Sequence, residues 1–258
     1  MTKLFYFTGT GNSLWSAKKI AQIIKQKNPQ EICELINIGA EGQKSGAVIE
    51  ADAVVFVFPA YAYGMPLIVR RFAKNSEFKT PYMASLVTYG SSPGGTLGAL
   101  RRILKKKGIA KLYFKKIPAV ENYIAIFGSP KEKTIQKRTE MQAKTTEEAA
   151  LAIVERRENR VNCFRPFSSL ISWCFSLSTK VFYKQYKINS TCNGCGVCAK
   201  VCPVDGIEIK NGKPVFSSKC EGCQGCINQC PSRSLKFGRV RFGTPGYRHP
   251  EVTIDDFA

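Results

Sequence analysis

Eight of the chain's 11 cysteines fall between Cys192 and Cys230. The run Cys192-Asn193-Gly194-Cys195-Gly196-Val197-Cys198-Ala199-Lys200-Val201-Cys202-Pro203 returns as Cys220-Glu221-Gly222-Cys223-Gln224-Gly225-Cys226-Ile227-Asn228-Gln229-Cys230-Pro231, and both read C-x2-C-x2-C-x3-C-P. Two residues between thiolates let one tight loop set three sulfurs on three iron corners of a cubane. The fourth cysteine, a turn further on, points to the other cluster. The expected sets are Cys192, Cys195, Cys198 and Cys230 for one [4Fe–4S] cluster, and Cys220, Cys223, Cys226 and Cys202 for a second. Gly194, Gly196, Gly222 and Gly225 permit the turns and leave amides facing sulfur. Zinc needs four ligands and would leave the third cysteine of each run and both prolines unexplained. An odd cysteine total this unevenly spread is a poor disulfide framework, and it points to a reducing cytoplasm. Cys33, Cys163 and Cys174 stand in apolar contexts and are expected to be buried small hydrophobes.

The cysteine segment resembles the bacterial two-cluster ferredoxins over about 45 residues, Cys-Pro included at both ends. The resemblance implies single-electron transfer at low potential. The side chains of residues 192–237 sum to +3. Each four-iron cluster with its thiolates adds about −2, so the loaded module is near −1.

The whole chain has 258 residues, 44% hydrophobic and 22% charged. That excludes disorder, collagen-like repeats and a coiled coil, and it suffices for a core without covalent staples. Over the first 130 residues apolar runs alternate with helical patterns. Strands are expected at Lys3–Phe7, Glu31–Ile38, Ala53–Phe58, Tyr82–Thr88 and Leu112–Ile117. Helices are expected at Asn12–Lys27, Met65–Lys74 and Gly98–Lys107. This alternation predicts an α/β fold with a doubly wound parallel sheet.

The first strand runs into Thr8-Gly9-Thr10-Gly11-Asn12-Ser13. No Gly-Lys-Ser/Thr follows, so this is not a Walker loop. Leu14 stands where a dinucleotide fingerprint needs its third glycine. Four hydroxyl or amide side chains and two glycines at a helix N-terminus suit a terminal phosphate monoester. Thr-x-Thr-Gly-Asn-Ser directly after strand one resembles the phosphate loop of flavodoxins. That resemblance implies FMN at the switch point of a five-stranded sheet of order 2-1-3-4-5. It also implies contacts from Pro59, Ala60, Tyr61, Ala62, Tyr63 and Gly64 after strand three, and from Thr88, Tyr89, Gly90 and Ser91 after strand four. Tyr61, Tyr63 and Tyr89 offer rings to stack on an isoalloxazine. Taken end to end, the chain resembles the EFR1 family of flavodoxin–ferredoxin fusion proteins. Ile117-Pro118-Ala119-Val120-Glu121-Asn122-Tyr123 is similar to a Met-Pro-x-Asn-Tyr element of that family, departing by Ile for Met and by two extra residues.

The expected organisation is a flavodoxin-like FMN-binding domain over 1–160, an apolar helical connector over 161–190, a ferredoxin domain over 191–237 and a tail over 238–258 draped on the cysteine module. Thr145 with Glu148 reads as a capping box restarting a helix at Thr146. The connector is rich in aromatics, has no acid, and predicts one or two helices packed on a neighbouring domain, with a membrane-surface or dimer contact as the alternative. No signal peptide is expected, because the apolar stretch after Lys3 breaks at Thr8–Asn12, and no run suffices to span a bilayer. Trp15 and Trp173 are expected in the core. His249, the only histidine, sits in a Gly/Pro/Arg tail and is expected in solvent, which leaves hydrolytic triads without a base. No catalytic residue stands out.

Lys and Arg number 39 against 19 acids, a formal +20, and +9 of that lies in residues 51–130. Within it Leu97, Leu100, Ile103 and Leu104 form the apolar stripe of a helix whose other face is basic. No zinc finger, recognition helix or aromatic-basic strand signature supports nucleic acid. The leading expectation is an electron-transfer protein carrying two [4Fe–4S] clusters and FMN, docking an acidic ferredoxin, flavodoxin or reductase in an anaerobic or microaerobic cell. Two other readings stand beside it. One is an FMN-dependent reductase of a quinone or enone, and the other a redox-sensing or polyanion-binding module.

Overall fold

The computed structural model describes residues 1–41, 46–161 and 166–257. The elements in chain order begin with β1 (Thr2–Tyr6), α1 (Asn12–Lys27), β2 (Cys33–Asn37), α2 (Ile38–Glu41), β3 (Val48–Glu50), β4 (Ala53–Pro59) and α3 (Leu67–Asn75). Then come β5 (Glu77–Lys79), β6 (Tyr82–Tyr89), α4 (Thr96–Lys106), β7 (Lys111–Pro118), α5 (Ile124–Phe127), α6 (Glu132–Val154) and α7 (Pro166–Phe182). The cysteine-bearing part adds β8 (Tyr186–Ile188), α8 (Val197–Lys200), β9 (Ile207–Lys210), β10 (Lys213–Phe216), α9 (Gly225–Asn228) and β11 (Leu235–Phe237).

Five strands form one parallel sheet in the order β2-β1-β4-β6-β7. Counting only these strands, that is 2-1-3-4-5, the flavodoxin-like arrangement. β4 shows why both faces are covered. Its apolar residues are continuous, and alternate side chains leave on opposite faces. Ala53, Val55 and Val57 enter one core with α1 and the Ala149–Ile153 end of α6. Val54, Phe56 and Phe58 enter the other with Phe72 of α3 and Leu100 and Leu104 of α4. A short parallel pair, β3 with β5, lies outside the main sheet and has no counterpart in the sequence reading.

The cysteine-bearing part holds two antiparallel pairs, β9–β10 and β8–β11, around its own apolar cluster. It packs tightly on the sheet. Val201 joins the first core, and Val204 and Cys202 the second. Gly39 of α2 faces the Pro203 carbonyl with no room for a side chain.

Several expectations are corrected. Residues 132–154 form one uninterrupted helix, because Thr145 Oγ1 turns back to the Met141 carbonyl at 2.8 Å rather than capping a new start. Trp15 is buried as expected, whereas Trp173 is 59% exposed and Cys174 is exposed, since α7 turns the opposite face to the protein. Cys33 is half-buried, and Cys163 lies outside the described residues.

Candidate functional site

The glycine loop joins the carboxyl end of β1 to α1, and its residues are buried from Thr8 to Ser13. Gly11, at φ +96°, makes the turn into the helix, and its amide donates to Thr8 Oγ1 at 3.0 Å. A side chain would strain that backbone. Side chains then tie the loop to neighbouring strand ends. Ser13 Oγ meets Thr88 Oγ1 at 2.8 Å, Asn12 Nδ2 donates to the Val120 carbonyl at 3.0 Å, and Asn122 Nδ2 donates to Thr10 Oγ1 at 2.8 Å.

These loops line a cleft at the carboxyl ends of β1, β4, β6 and β7. Thr8, Gly9, Thr10, Asn12, Ser13, Pro59, Ala60, Tyr61, Thr88, Tyr89 and Gly90 line it, as do Ala119, Val120, Glu121 and Asn122. Gly11, Ala62, Tyr63, Gly64 and Ser91 do not. Ala62 and Tyr63, at φ +44° and +64°, form the tip of a tight turn closed by paired Tyr61–Gly64 backbone bonds, and Tyr63 faces solvent. Gly64 lies beneath Ser172 of α7. The lining contains no lysine or arginine. An anion there would meet backbone amides and the positive end of α1. Glu121 marks the opposite end. Its Oε1 accepts the Asn122 and Tyr123 amides at 3.1 and 3.2 Å, and its carboxylate abuts Gly90.

Cys192, Cys195, Cys198 and Cys230 line a second pocket. Gly194 and Gly196, at φ +72° and +77°, make the turns between them. Burial pushes Cys198 up to about 11. Burial pushes Cys230 the same way, but hydrogen bonds from Ser234 and Ser232 outweigh it and bring the thiol below its ordinary value.

In the second set amides point at sulfur. The Gly206 amide donates to Cys202 Sγ at 3.3 Å, Gly222 to Cys220 at 3.4 Å and Gly225 to Cys223 at 3.5 Å. Burial raises Cys220 to about 11 and Cys223 and Cys226 further, and the proximity of Cys202 adds to all three. Thiols so raised become ligands only by losing protons to a metal. Among the described residues no three His, Cys, Asp or Glu side chains converge on a single ion. The first set rings a space, and both sets offer four thiols with sulfur-directed donors, which suits a cluster.

The two sites share a wall. A Cβ added to Gly9 would stand 2.8 Å from the Cys223 carbonyl, 3.1 Å from Cys223 Cβ and 3.3 Å from the Tyr61 hydroxyl. One added to Gly225 would stand 2.6 Å from the Gly9 carbonyl. Both glycines are there for contact. Gln229 Nε2 donates to the Gly9 carbonyl at 3.1 Å, and Asn228 Nδ2 to the Asn122 carbonyl at 3.0 Å. The buried Glu221 carboxylate accepts the Leu67 amide at 2.9 Å and Arg71 Nη2 at 3.2 Å, capping α3 from the cysteine loop. The Tyr61 hydroxyl is buried in this wall without a hydrogen-bond partner.

The tail reaches both partners. Tyr247 donates through its hydroxyl to Asn12 Oδ1 at 2.8 Å and through its amide to Asn228 Oδ1 at 2.9 Å. The His249 amide donates to the Thr10 carbonyl at 2.9 Å, and its ring stacks on Trp15 at 4.9 Å. His249 is therefore not in solvent. It is 1% exposed, and burial lowers its pKa to about 4. Sequence reasoning missed the roles of Glu221, Asn228, Gln229, Tyr247 and His249, because their partners lie far along the chain. Asn122 alone carried a signal, through the Ile117–Tyr123 element.

Residues 184–231 match the family model of the 4Fe-4S dicluster domain. The chain thus joins a flavodoxin-like fold to a 4Fe-4S dicluster domain. No curated protein matches it. Among solved structures, an azoreductase from Bacillus anthracis str. Sterne aligns at 12% identity over 60% of this chain and 100% of its own, with a TM-score of 0.41. The two-electron reduced flavodoxin of Megasphaera elsdenii aligns at 17% over 59% and 100%, with a TM-score of 0.37. A flavodoxin from the domain Archaea aligns at 17% over 58% and 99%, with a TM-score of 0.34. At these scores the likenesses add nothing to the fold, which rests on the sheet order itself.

Proposed function

We propose that the chain is an electron-transfer protein of the EFR1 type, holding two [4Fe–4S] clusters and one FMN. The observation that carries this is the shared wall, with the Cys223–Gly225 turn seated directly on Gly9 of the glycine loop. When bound, the clusters carry single electrons, and FMN takes two and releases them singly. The chain's own residues supply placement. The amides of the glycine loop and the hydroxyls of Thr8, Thr10 and Ser13 hold the phosphate end of the flavin. Tyr61 and Tyr89 flank the ring end, and Glu121 keeps a second anion out of that end. The exposed Cys195 opens the first cluster to partners, while buried Cys226 and the wall residues keep water from the second. Fusion in one chain keeps the sites at high effective concentration.

The outside partner would be an acidic redox protein. Arg70, Lys74, Arg102, Lys106 and Lys107 line one groove between α3 and α4 with no acid among them. The competing reading, an FMN-dependent reductase of a quinone or enone, gains no acid–base residue from the cavity beyond Glu121.

The test is iron, sulfide and flavin content per chain after strictly anaerobic purification. About eight iron and about one FMN are expected. Iron without flavin, even after FMN is added, would remove the flavin half of the proposal. Iron near four would remove one cluster.

A further inference from the structure

α7 carries its apolar residues on the wrong side for a helix that only packs inward. Phe175 and Phe182 face the protein, with Phe182 closing on Gly222 of the second cysteine run. Buried Thr179 and half-buried Ser172 share that side. The outward side presents Leu170, Trp173, Leu177 and Val181 at 57%, 59%, 44% and 48% exposure. At 3.6 residues per turn these four fall within a stripe about 100° wide.

The charge around this stripe says what covers it. No acid occurs from residue 159 to residue 204, while Arg160, Arg165, Lys180, Lys184 and Lys187 fall within it. Lys184 and Lys187 stand exposed just past the helix. The whole chain carries +20, so two copies meeting on this face would repel. An uninterrupted Leu-Trp-Leu-Val stripe bordered by lysines matches a surface that is apolar within and negative at its rim. Among the described residues no helix is long and apolar enough to cross a membrane, so the contact lies in the interface plane.

We propose that the outer face of α7 docks the protein on an anionic lipid bilayer. Leu170, Trp173, Leu177 and Val181 enter the boundary between headgroups and acyl chains, to a depth of about 5–10 Å. The lysines after the helix meet the lipid phosphates. Because Phe182 of α7 covers Gly222, this orientation sets the second cysteine run behind one helix from the lipid.

The experiment uses the purified full chain with vesicles of phosphatidylcholine alone, or of phosphatidylcholine and phosphatidylglycerol in equal parts. Co-sedimentation with the mixed vesicles is expected, and it should weaken as salt rises. Of the chain's two tryptophans Trp15 is buried, so a blue shift of emission on binding reports Trp173. W173S with L177S should weaken vesicle binding by roughly tenfold or more. Both side chains are exposed, so the variant keeps its fold. K184E with K187E should weaken binding to mixed vesicles while leaving the helix intact. No co-sedimentation, or an unshifted emission, overturns the proposal. So does a dimer without lipid that W173S with L177S converts to monomer, which would make the face a self-contact.

Discussion

At the scale of single residues, His249 shows how far a side chain's fate can depart from its local sequence. Its neighbours are Gly, Pro and Arg, which read as solvent. Its ring nevertheless lies on Trp15, and the Glu251 amide donates to its Nδ1 at 3.3 Å, which holds the neutral ring. A free histidine titrates near 6.5, and burial lowers this one to about 4. Between those values the unfolded chain binds the proton and the folded chain does not. The contribution is therefore complete above about pH 6.5 and is lost as the pH falls toward 4, some 3 kcal/mol across the window. His249→Phe keeps a ring on Trp15 and cannot titrate. Denaturant unfolding of the two proteins at several pH values should show a steeper acid loss for wild type, and parallel curves would refute the assignment. The cluster cysteines were legible because their chemistry is written in local spacing. Glu221, Gln229 and Tyr247 were not, because a hydrogen bond to a residue more than a hundred positions away leaves no periodic trace.

At the scale of elements, patterns locate helices well but do not say which side faces in. The strands of the main sheet and α1, α3 and α4 were readable from apolar runs and stripes, and Leu97, Leu100 and Leu104 are buried as the stripe requires. Thr145 and Glu148 have capping-box spacing, yet inside a long helix the threonine finds the Met141 carbonyl and the box never forms. α3 is the reverse case, with a cap that no local reading supplies. Pro66 precedes it without a side-chain cap, and the Leu67 amide is met instead by Glu221. Burial raises the pKa of Glu221 against the opposing pull of Arg71 and the helix amides. The charge is thus held at some cost, while the acceptor oxygen is needed. Glu221→Gln keeps an acceptor and removes the buried charge, so it should change stability by less than about 1 kcal/mol. Glu221→Ala leaves the half-buried Leu67 amide without its acceptor and should cost about 1–3 kcal/mol. Thermal unfolding of the loaded protein separates the two. Equal losses would mean that charge, and not capping, is what Glu221 supplies.

At the scale of the whole molecule, the positive charge is arranged rather than spread. Lys74, Arg102, Lys106 and Arg70 share the groove between α3 and α4, while the neighbouring Arg71 turns to Glu221 in the second cysteine run. One helix therefore carries both the groove and the contact to a proposed cluster loop. Charges at such a surface act on the rate of encounter more than on the strength of the final complex. The second-order rate of electron exchange with an acidic ferredoxin or flavodoxin should fall as ionic strength rises past the point where the Debye length is about 10 Å. Reversing Lys74, Arg102 and Lys106 to glutamate should lower that rate roughly tenfold or more at low salt and flatten its salt dependence. Reduction of the protein by a small neutral reductant should be unchanged, since none of the three touches either cavity. Stopped-flow rates at several salt concentrations decide it. A salt-independent rate, or a triple variant as fast as wild type, would leave the groove a solvated surface and move the docking site elsewhere, with the exposed Cys195 side of the first cysteine set as the next place to test.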